Sequence, residues 1–295
     1  MGLHITNTPL MRLMSSLRKT TLALDTSYQR LASGLRINSA KDDAAGLQIC
    51  DRMTAQINGL TQGNRNANDG ISLAQIADGA MEGMVDMVQR LRTLAVQSAN
   101  GTYSADERQA MQDETDELLK EISRTAETTS WGGNIKLLNG SSNGGVFKIQ
   151  VGAYAGDTID ITVGDVSYNA LLTDAASAGI TCGTTATSVD GTNGSVSIMT
   201  AADAQNAIDL YDHMISNINR KRSQCGAVAN RLEYAISSQE NTIQNLSDAR
   251  SRIRDTDYAA EVAEMARNNI LQQVAVAMMS RIQQSHSNLI LSLLG

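Results

Sequence analysis

Helical periodicity that continues along most of the chain is the feature that most constrains its fold. Near the N-terminus, apolar residues recur at the three- and four-residue spacing of a coiled-coil heptad: Leu10, Leu13, Leu17, Leu24, Tyr28, Leu31 and Leu35. Pro9, the single proline, fits the first turn of that helix, where its missing N–H costs little. One amphipathic helix cannot bury its apolar stripe alone, so residues 1–35 require a partner.

A second and much longer helix is predicted over about residues 44–100. Ser39 has Asp42 three residues further on, which is the pattern of a capping box, so Ser39 is expected to cap this helix. Asp43 adds negative charge at a helix start, where the helix dipole favours it. A third helix is predicted from about Ala105 to Thr128, with acidic residues in its first turn.

The character of the chain changes over residues 132–200, which hold more than half of the 23 glycines. Val146–Val151 and Thr158–Val163 alternate apolar and polar residues on either side of a short turn, which predicts a small β-hairpin. The Thr- and Ser-rich piece from Thr181 to Thr200 is predicted to be an exposed loop.

Helical periodicity returns at about Ala201, and Asp255 and Asp257 mark the start of a last helix. Apolar residues recur along this last helix: Tyr258, Val262, Met265, Leu271, Val274, Met278, Ile282, Leu289 and Leu293. Residues 1–38 carry a net positive charge and residues 255–295 a net negative charge. Opposite charges favour association, so the two terminal helices are expected to lie together.

These patterns predict a mainly α fold. It would be a long antiparallel coiled-coil-like helical rod with paired terminal helices and a small β-hairpin-containing middle segment. Aromatic residues make up only 3% of the chain, which suits long helices packed through aliphatic side chains. Three parts are predicted: a terminal coiled-coil domain (1–43 plus 251–295), a helical rod domain (44–131 plus 201–250), and a short variable outward-facing segment (132–200).

No arrangement of residues predicts catalysis, a cofactor or a metal ion, so the chain is not expected to be an enzyme. The three histidines stand alone, without partners at ligand spacing. Cys50, Cys182 and Cys225 lie far apart and form no metal-binding or disulfide framework. Cys50 and Cys225 fall on apolar stripes and are expected to be buried, whereas Cys182 is expected to be exposed.

The charge and hydropathy of the chain exclude further classes of protein. The net charge of −7 argues against a nucleic-acid partner, which calls for a basic surface. No run of eighteen apolar residues occurs, so no membrane span is predicted. No basic stretch leads into an apolar run at the N-terminus, so a secreted chain of this kind would need a route without a cleavable signal.

Four stretches carry a resemblance to a known family. Ser33–Gly46 and Arg65–Ala74 closely resemble the N-terminal signature of bacterial flagellin. Gly226–Glu233 and Ser251–Ala260 resemble its C-terminal signature. The motifs are long and stand in the expected order, and the resemblance covers most of the chain outside the glycine-rich middle.

The resemblance implies a structural subunit that is exported unfolded by the flagellar type III apparatus. It would then self-assemble into the extracellular flagellar filament that serves swimming or swarming. The implied partners are other copies of the chain in a homopolymer, an export chaperone on the C-terminal helix, the filament cap, and the hook–filament junction proteins. The paired terminal helices would form an inner tube through the assembly residues Leu10, Leu13, Leu17, Leu24, Leu31, Val262, Met265, Leu271, Val274, Met278, Ile282, Leu289 and Leu293.

Residues 89–97 resemble the flagellin segment that the innate immune receptor Toll-like receptor 5 recognises. By that resemblance Arg90 and Leu94 would contact the receptor, together with Glu114 from the next helix. In flagellin this surface also contacts neighbouring subunits, so assembly is its native role.

Two other functions are consistent with parts of the sequence. A flagellin-like hook–filament junction protein would share the end domains, but the unbroken Arg65–Ala74 motif favours flagellin. A secreted coiled-coil adhesin would account for the heptads but not for two matched signatures.

Overall fold

The structure, a computed structural model, describes residues 8–180, 184–188 and 194–294, with side chains except at 184–188, 194, 195, 286 and 288–294. Its helices are α1 (Thr8–Ser33), α2 (Ala44–Ser98), α3 (Ala105–Thr128), α4 (Tyr168–Ser177), α5 (Ala201–Arg254) and α6 (Tyr258–Leu294). Its strands are β1 (Ser130–Trp131), β2 (Ile135–Lys136), β3 (Val146–Gln150), β4 (Thr158–Thr162), β5 (Thr184–Ser188) and β6 (Gly194–Val196). The strands pair antiparallel as β1–β2, β3–β4 and β5–β6. Most of the described residues belong to the helices, so the predicted mainly α fold is confirmed.

The chain forms two compact units. The terminal unit combines Met1–Ile57 with Ile243–Gly295, and the central unit is Asn58–Thr242. The glycine-rich segment 132–200 lies within the central unit, where Phe147 and Leu171 belong to the same apolar core as the helices. The division of the chain into three functional domains stays a prediction.

In the terminal unit α1 packs along α6, as predicted for the two terminal helices. Arg30 of α1 forms an ion pair with Glu261 of α6, with 3.4 Å between Nη1 and Oε2. Leu35 and Asp255 form an antiparallel bridge just beyond the ends of α1 and α5. The ion pair agrees with the opposite net charges of the two ends of the chain.

The start of α2 differs from the prediction. Its cap is Asp43, whose Oδ1 accepts a hydrogen bond from the Gly46 amide at 2.9 Å, so the predicted cap at Ser39 is wrong. Asp42 Oδ2 instead accepts from the amides of Ser39 and Asn38, at 2.9 and 3.1 Å, and closes a turn before the helix. The backbone hydrogen bond from Ser39 is the main cause that holds the pKa of Asp42 below its usual value.

In the central unit α2 and α5 run antiparallel. Asp78 of α2 pairs with Arg222 of α5 at 2.8 Å, and Arg92 pairs with Asp212 at 2.6 Å. The later residue of α2, Arg92, pairs with the earlier residue of α5, Asp212, so the two helices run in opposite directions. The largest fully buried side chains of this unit are Tyr211, Met81, Met84, Leu91, Leu94, Leu119, Ile122, Leu137, Leu138, Ile161, Leu171 and Ile198.

Helix α3 spans Ala105–Thr128, as predicted from its periodicity and acidic first turn. The residue before it, Ser104, completes a capping box with Glu107. The Ser104 amide donates to Glu107 Oε2 at 2.7 Å, and the Glu107 amide donates to Ser104 Oγ. These bonds satisfy amide groups that a helix start leaves without partners.

The predicted β-hairpin is confirmed: β3 and β4 pair antiparallel, with Phe147 opposite Ile161. The hairpin lies against α2, where Asn66 Nδ2 donates to the Gln150 carbonyl at 2.9 Å. At Gly63 an added Cβ would overlap the carbonyl oxygen of Val151. The hairpin therefore approaches α2 closely enough to require glycine there.

The prediction of an exposed loop over Thr181–Thr200 is wrong for the part that the structure describes. β5 and β6 pair antiparallel, and Val196 and Ile198 are fully buried. Gln112 of α3 donates through Nε2 to the Val196 carbonyl at 2.9 Å, and its Oε1 accepts from the Ile198 amide at 2.7 Å. One side-chain amide thus supplies the pair of bonds that a neighbouring strand would make.

Candidate functional site

The α1 side of the terminal pair is a stripe of leucines. Leu24 is buried, and the predicted assembly residues Leu10, Leu13, Leu17 and Leu31 are half-buried. Tyr28, placed on the same stripe by the heptad, is 52% exposed, while Ser27 is buried. The stripe therefore continues through Ser27 rather than Tyr28, since residues 24, 27 and 31 keep the alternating spacing of a seam between two helices.

The α6 side of the pair is less apolar than the α1 side. Ala275 and Asn268 are buried, and the predicted assembly residues Met265 and Ile282 are half-buried. Asn268 Nδ2 is buried and has no hydrogen-bond partner among the described residues. We call the buried and half-buried faces of the two helices the α1–α6 seam.

The other predicted assembly residues of α6 point away from the seam. Val262, Leu271, Val274 and Met278 are between 45% and 52% exposed, and Ile270 is 61% exposed. Helix α1 adds three more exposed apolar side chains: Met11, Met14 and Leu22. We call these exposed residues the outward apolar face.

Two predicted assembly residues lie where only the backbone is described. Leu289 and Leu293 belong to the last turns of α6, and their side chains are outside the described part of the chain. Their role stays a prediction.

A backbone joint closes the pair next to the ends of α1 and α5. The Arg36 guanidinium donates to the Ile253 carbonyl, at 2.6 Å from Nη2, and the Arg36 amide donates to the Arg254 carbonyl at 2.7 Å. In return the Thr256 amide donates to the Gly34 carbonyl at 3.0 Å. These bonds connect the turn after α1 to the end of α5 and to the residues just before α6.

The segment predicted to bind the immune receptor is only partly on the surface. Arg90 and Glu114 are both exposed and form an ion pair, with 2.7 Å between Nε and Oε1. Arg90 donates this hydrogen bond to the Glu114 carboxylate, which raises the pKa of Arg90. Leu94 is only 2% exposed because it packs in the core of the central unit. Its side chain is therefore covered within the subunit, and its contact with the receptor stays a prediction.

Cys50 and Cys225 are free and buried, as predicted. Burial raises the pKa of the Cys225 thiol to about 11. Cys182, predicted to be exposed, lies outside the described residues. Within the described part of the chain, no group of three potential ligands could hold a metal ion, and no helix combines the length and apolarity needed to cross a membrane.

Comparison with known proteins agrees with this arrangement of helices. The bacterial flagellin N-terminal helical region matches residues 5–143, and the C-terminal helical region matches residues 208–294. The chain is 41% identical over 258 residues to a flagellin from Halalkalibacterium halodurans, covering 88% of this chain and 87% of that one. It is 35% identical over 353 residues to flagellin B from Vibrio anguillarum, covering 91% and 93%.

A solved structure is also similar. The crystal structure of Bacillus cereus flagellin matches 59% of this chain and 88% of that chain, with a TM-score of 0.46 and 28% identity. The two family regions together match most of the chain, and the two relatives are each more than 30% identical along nearly all of it. The chain therefore belongs to the bacterial flagellin family, whose members are the structural subunits of the flagellar filament.

Proposed function

We propose that the subunit polymerises by burying the outward apolar face of its α1–α6 pair against other copies of the chain. The observation that carries this proposal is a row of large apolar side chains on α6 that its own chain leaves exposed. Ile270, Leu271, Val274 and Met278 follow one another at spacings of one, three and four residues. At 3.6 residues per turn these four side chains fall within an arc of about 100°, so they lie on one side of the helix.

This row differs from the seam that α1 covers. Among the described side chains of α6, Asn268 and Ala275 are the buried ones, and they lie on the adjacent face of the helix. Helix α6 is thus apolar on two sides, and only one side is used within the subunit. A helix that is apolar on more than one side needs more than one packing partner.

Burying this face on association would contribute a large favourable free energy for the side chains of a single helix. Burying one Leu, Val or Met side chain fully stabilises a complex by about 1.5–3 kcal/mol. The side chains are already half covered, so each contributes roughly half of that value on association. A polymer repeats the contact at every subunit, which supports a second copy as the occupant of the face.

A pair of variants on α6 tests the proposal. Leu271→Asp would bury a carboxylate at the contact and should prevent seeded polymerisation, measured by sedimentation. Gln273→Asp adds the same charge about 200° away around the helix and serves as the control. Because Leu271 is exposed in the subunit, the melting temperature of the variant should match that of the parent chain.

Filaments from Leu271→Asp with unchanged yield would contradict the proposal. A large drop in melting temperature would instead mean that Leu271 belongs to the folded core of the subunit.

The partners other than further copies of the chain are proposed from the resemblance to flagellin. An export chaperone would cover the exposed side of α6 before assembly, and this agrees with the unpaired apolar row on that helix. The filament cap and the hook–filament junction proteins would contact the ends of the polymer. Secretion by the flagellar type III route and an outward position for residues 132–200 belong to the same proposal.

Arg90 and Glu114 are proposed as a contact surface for Toll-like receptor 5. Both side chains are accessible, and the ion pair holds them together on neighbouring helices of the central unit. Leu94 is left out of this surface because it is buried.

A further inference from the structure

A polar cleft of about 530 Å³ opens in the central unit between α4 and α5. Its floor includes Leu171 and Asn217, which are both buried, and the half-buried Lys221. Asp165 and Asp174 stand at its edge and are exposed. The cleft lies far along the chain from the terminal helices and takes no part in the assembly surface described above.

The ammonium group of Lys221 lies next to the backbone at Val163 and Gly164. Lys221 Nζ donates to the carbonyl of Val163, but the two atoms are 3.5 Å apart, which makes this a weak bond. Gly164 has a φ of +72°, and an added Cβ there would overlap Nζ. The glycine thus leaves the space that the ammonium occupies. Burial lowers the pKa of Lys221, and the carboxylates of Asp174 and Asp165 act in the opposite direction.

A buried acceptor belongs to the same cleft, on α5 four residues before Lys221. Asn217 is 4% exposed, and its Oδ1 has no hydrogen-bond partner among the described residues. Its Nδ2 is already engaged, because it donates to Asp174 Oδ2. An unpaired buried carbonyl oxygen is costly, so the site is complete only when a donor reaches Asn217.

The charges that line the cleft come in two opposite pairs. Asp165 and Asp174 are negative, and Arg220 and Lys221 on α5 are positive. Arg220 Nη2 lies 3.8 Å from Asp174 Oδ2, so this contact is at the long limit of an ion pair. A ligand with one charge would meet a like charge on one side of the cleft, whereas a ligand with both charges would meet only opposite charges.

We propose that this cleft binds a free α-amino acid in its zwitterionic form. The carboxylate of the ligand accepts hydrogen bonds from Lys221 and Arg220. Its ammonium group donates to Asn217 Oδ1 and to Asp174. None of the described residues that line the cleft is aromatic, so they offer no flat apolar surface on which a sugar ring would stack.

The test is a titration of the full-length chain followed by NMR chemical shifts, with glycine as the probe. Acetate and methylammonium each carry one of its two charges, and D-glucose carries neither. We expect saturable shifts at residues 165–174 and 217–221 with glycine, and shifts at least about tenfold weaker at equal concentration with the other three probes. Equal binding of acetate would overturn the zwitterion assignment, and no saturable binding of glycine would overturn the site.

Variants connect the binding to the named side chains. Arg220→Met changes an exposed residue, and Asp174→Asn keeps the size of the side chain. Each should weaken glycine binding about tenfold or more, while Lys148→Met, on the exposed side of β3, should leave it unchanged. Unchanged binding in both cleft variants would contradict the proposal, and melting curves would verify that both variants fold.

Discussion

The hydroxyl group of Tyr258 occupies the space in which a side chain on Gly34 would lie. A Cβ added to Gly34 would be 2.9 Å from Tyr258 Oη, and Gly34 has a φ of +72°. This contact joins the turn after α1 to the first residue of α6. The joint of the terminal unit therefore depends on a glycine for two reasons, its backbone conformation and the approach of a tyrosine.

Gly34→Ala should weaken the α1–α6 pair by about 1–3 kcal/mol, the typical cost of a strained backbone position. Amide hydrogen exchange of the free subunit would report this as faster exchange in α1 and α6. Gly101→Ala is the control, because no atom lies within 4 Å of its added Cβ and its φ is not positive. Equal exchange in the parent chain and Gly34→Ala would show that the joint does not hold the pair together.

Two glycines of α2 should respond in opposite ways to the same substitution. Gly63→Ala would force the Val151 carbonyl and the hairpin away from α2 and should destabilise the central unit by about 1–3 kcal/mol, as overpacking does. Gly83→Ala meets no atom within 4 Å and should stabilise the helix by about 0.5–1 kcal/mol. Urea unfolding measures both values, and a Gly63→Ala chain as stable as the parent would refute the close packing of the hairpin.

Cys225 should make part of the stability of the chain dependent on pH. Its pKa is raised from 9.0 to about 11 by burial, so the folded state favours the protonated thiol. This contribution is fully present below pH 9 and is lost as the pH rises from 9 to 11. Cys225→Val should remove that part of the decline when free energies of unfolding are compared at pH 8 and pH 11. Identical declines in both chains would mean that the thiol is not buried as described.

The receptor surface can be tested with two arginines of the same helix. Arg90→Ala and Arg92→Ala each break an exposed ion pair, with Glu114 and Asp212 respectively, and solvent screens both pairs, so neither change should lower the stability of the central unit appreciably. Only Arg90→Ala should lower Toll-like receptor 5 signalling by the free subunit. Equal dose–response curves for the parent chain and Arg90→Ala would show that the receptor resemblance does not extend to this protein.

The sequence predicted the elements that local signals mark strongly. α3 was expected at its observed limits because periodicity and first-turn acidic residues agree there. The β3–β4 hairpin was expected because alternation and turn glycines agree. The cap of α2 was misplaced from Ser39 to Asp43, since both Asp42 and Asp43 can accept backbone hydrogen bonds and the sequence does not say which one does so at the helix start.

The features that the sequence did not predict depend on tertiary contacts. α4 is only ten residues long and lies in a glycine-rich region, so its periodicity is weak. The burial of residues 196–198 depends on Gln112, which is 84 positions away from Val196. Helix α6 is apolar on several sides, so its spacing alone could not separate the seam residue Met265 from the exposed Val274.

The central claim is that the outward apolar face becomes buried when subunits polymerise, and methionine oxidation measures this most directly. Met11 and Met278 lie on that face, at 63% and 45% exposure, whereas Met81 and Met84 are fully buried in the central unit. Limited peroxide treatment followed by mass spectrometry should oxidise Met11 and Met278 rapidly in the free subunit and slowly in the filament. Met81 and Met84 should stay protected in both states. Rapid oxidation of Met278 in intact filaments, equal to that in the free subunit, would contradict the account.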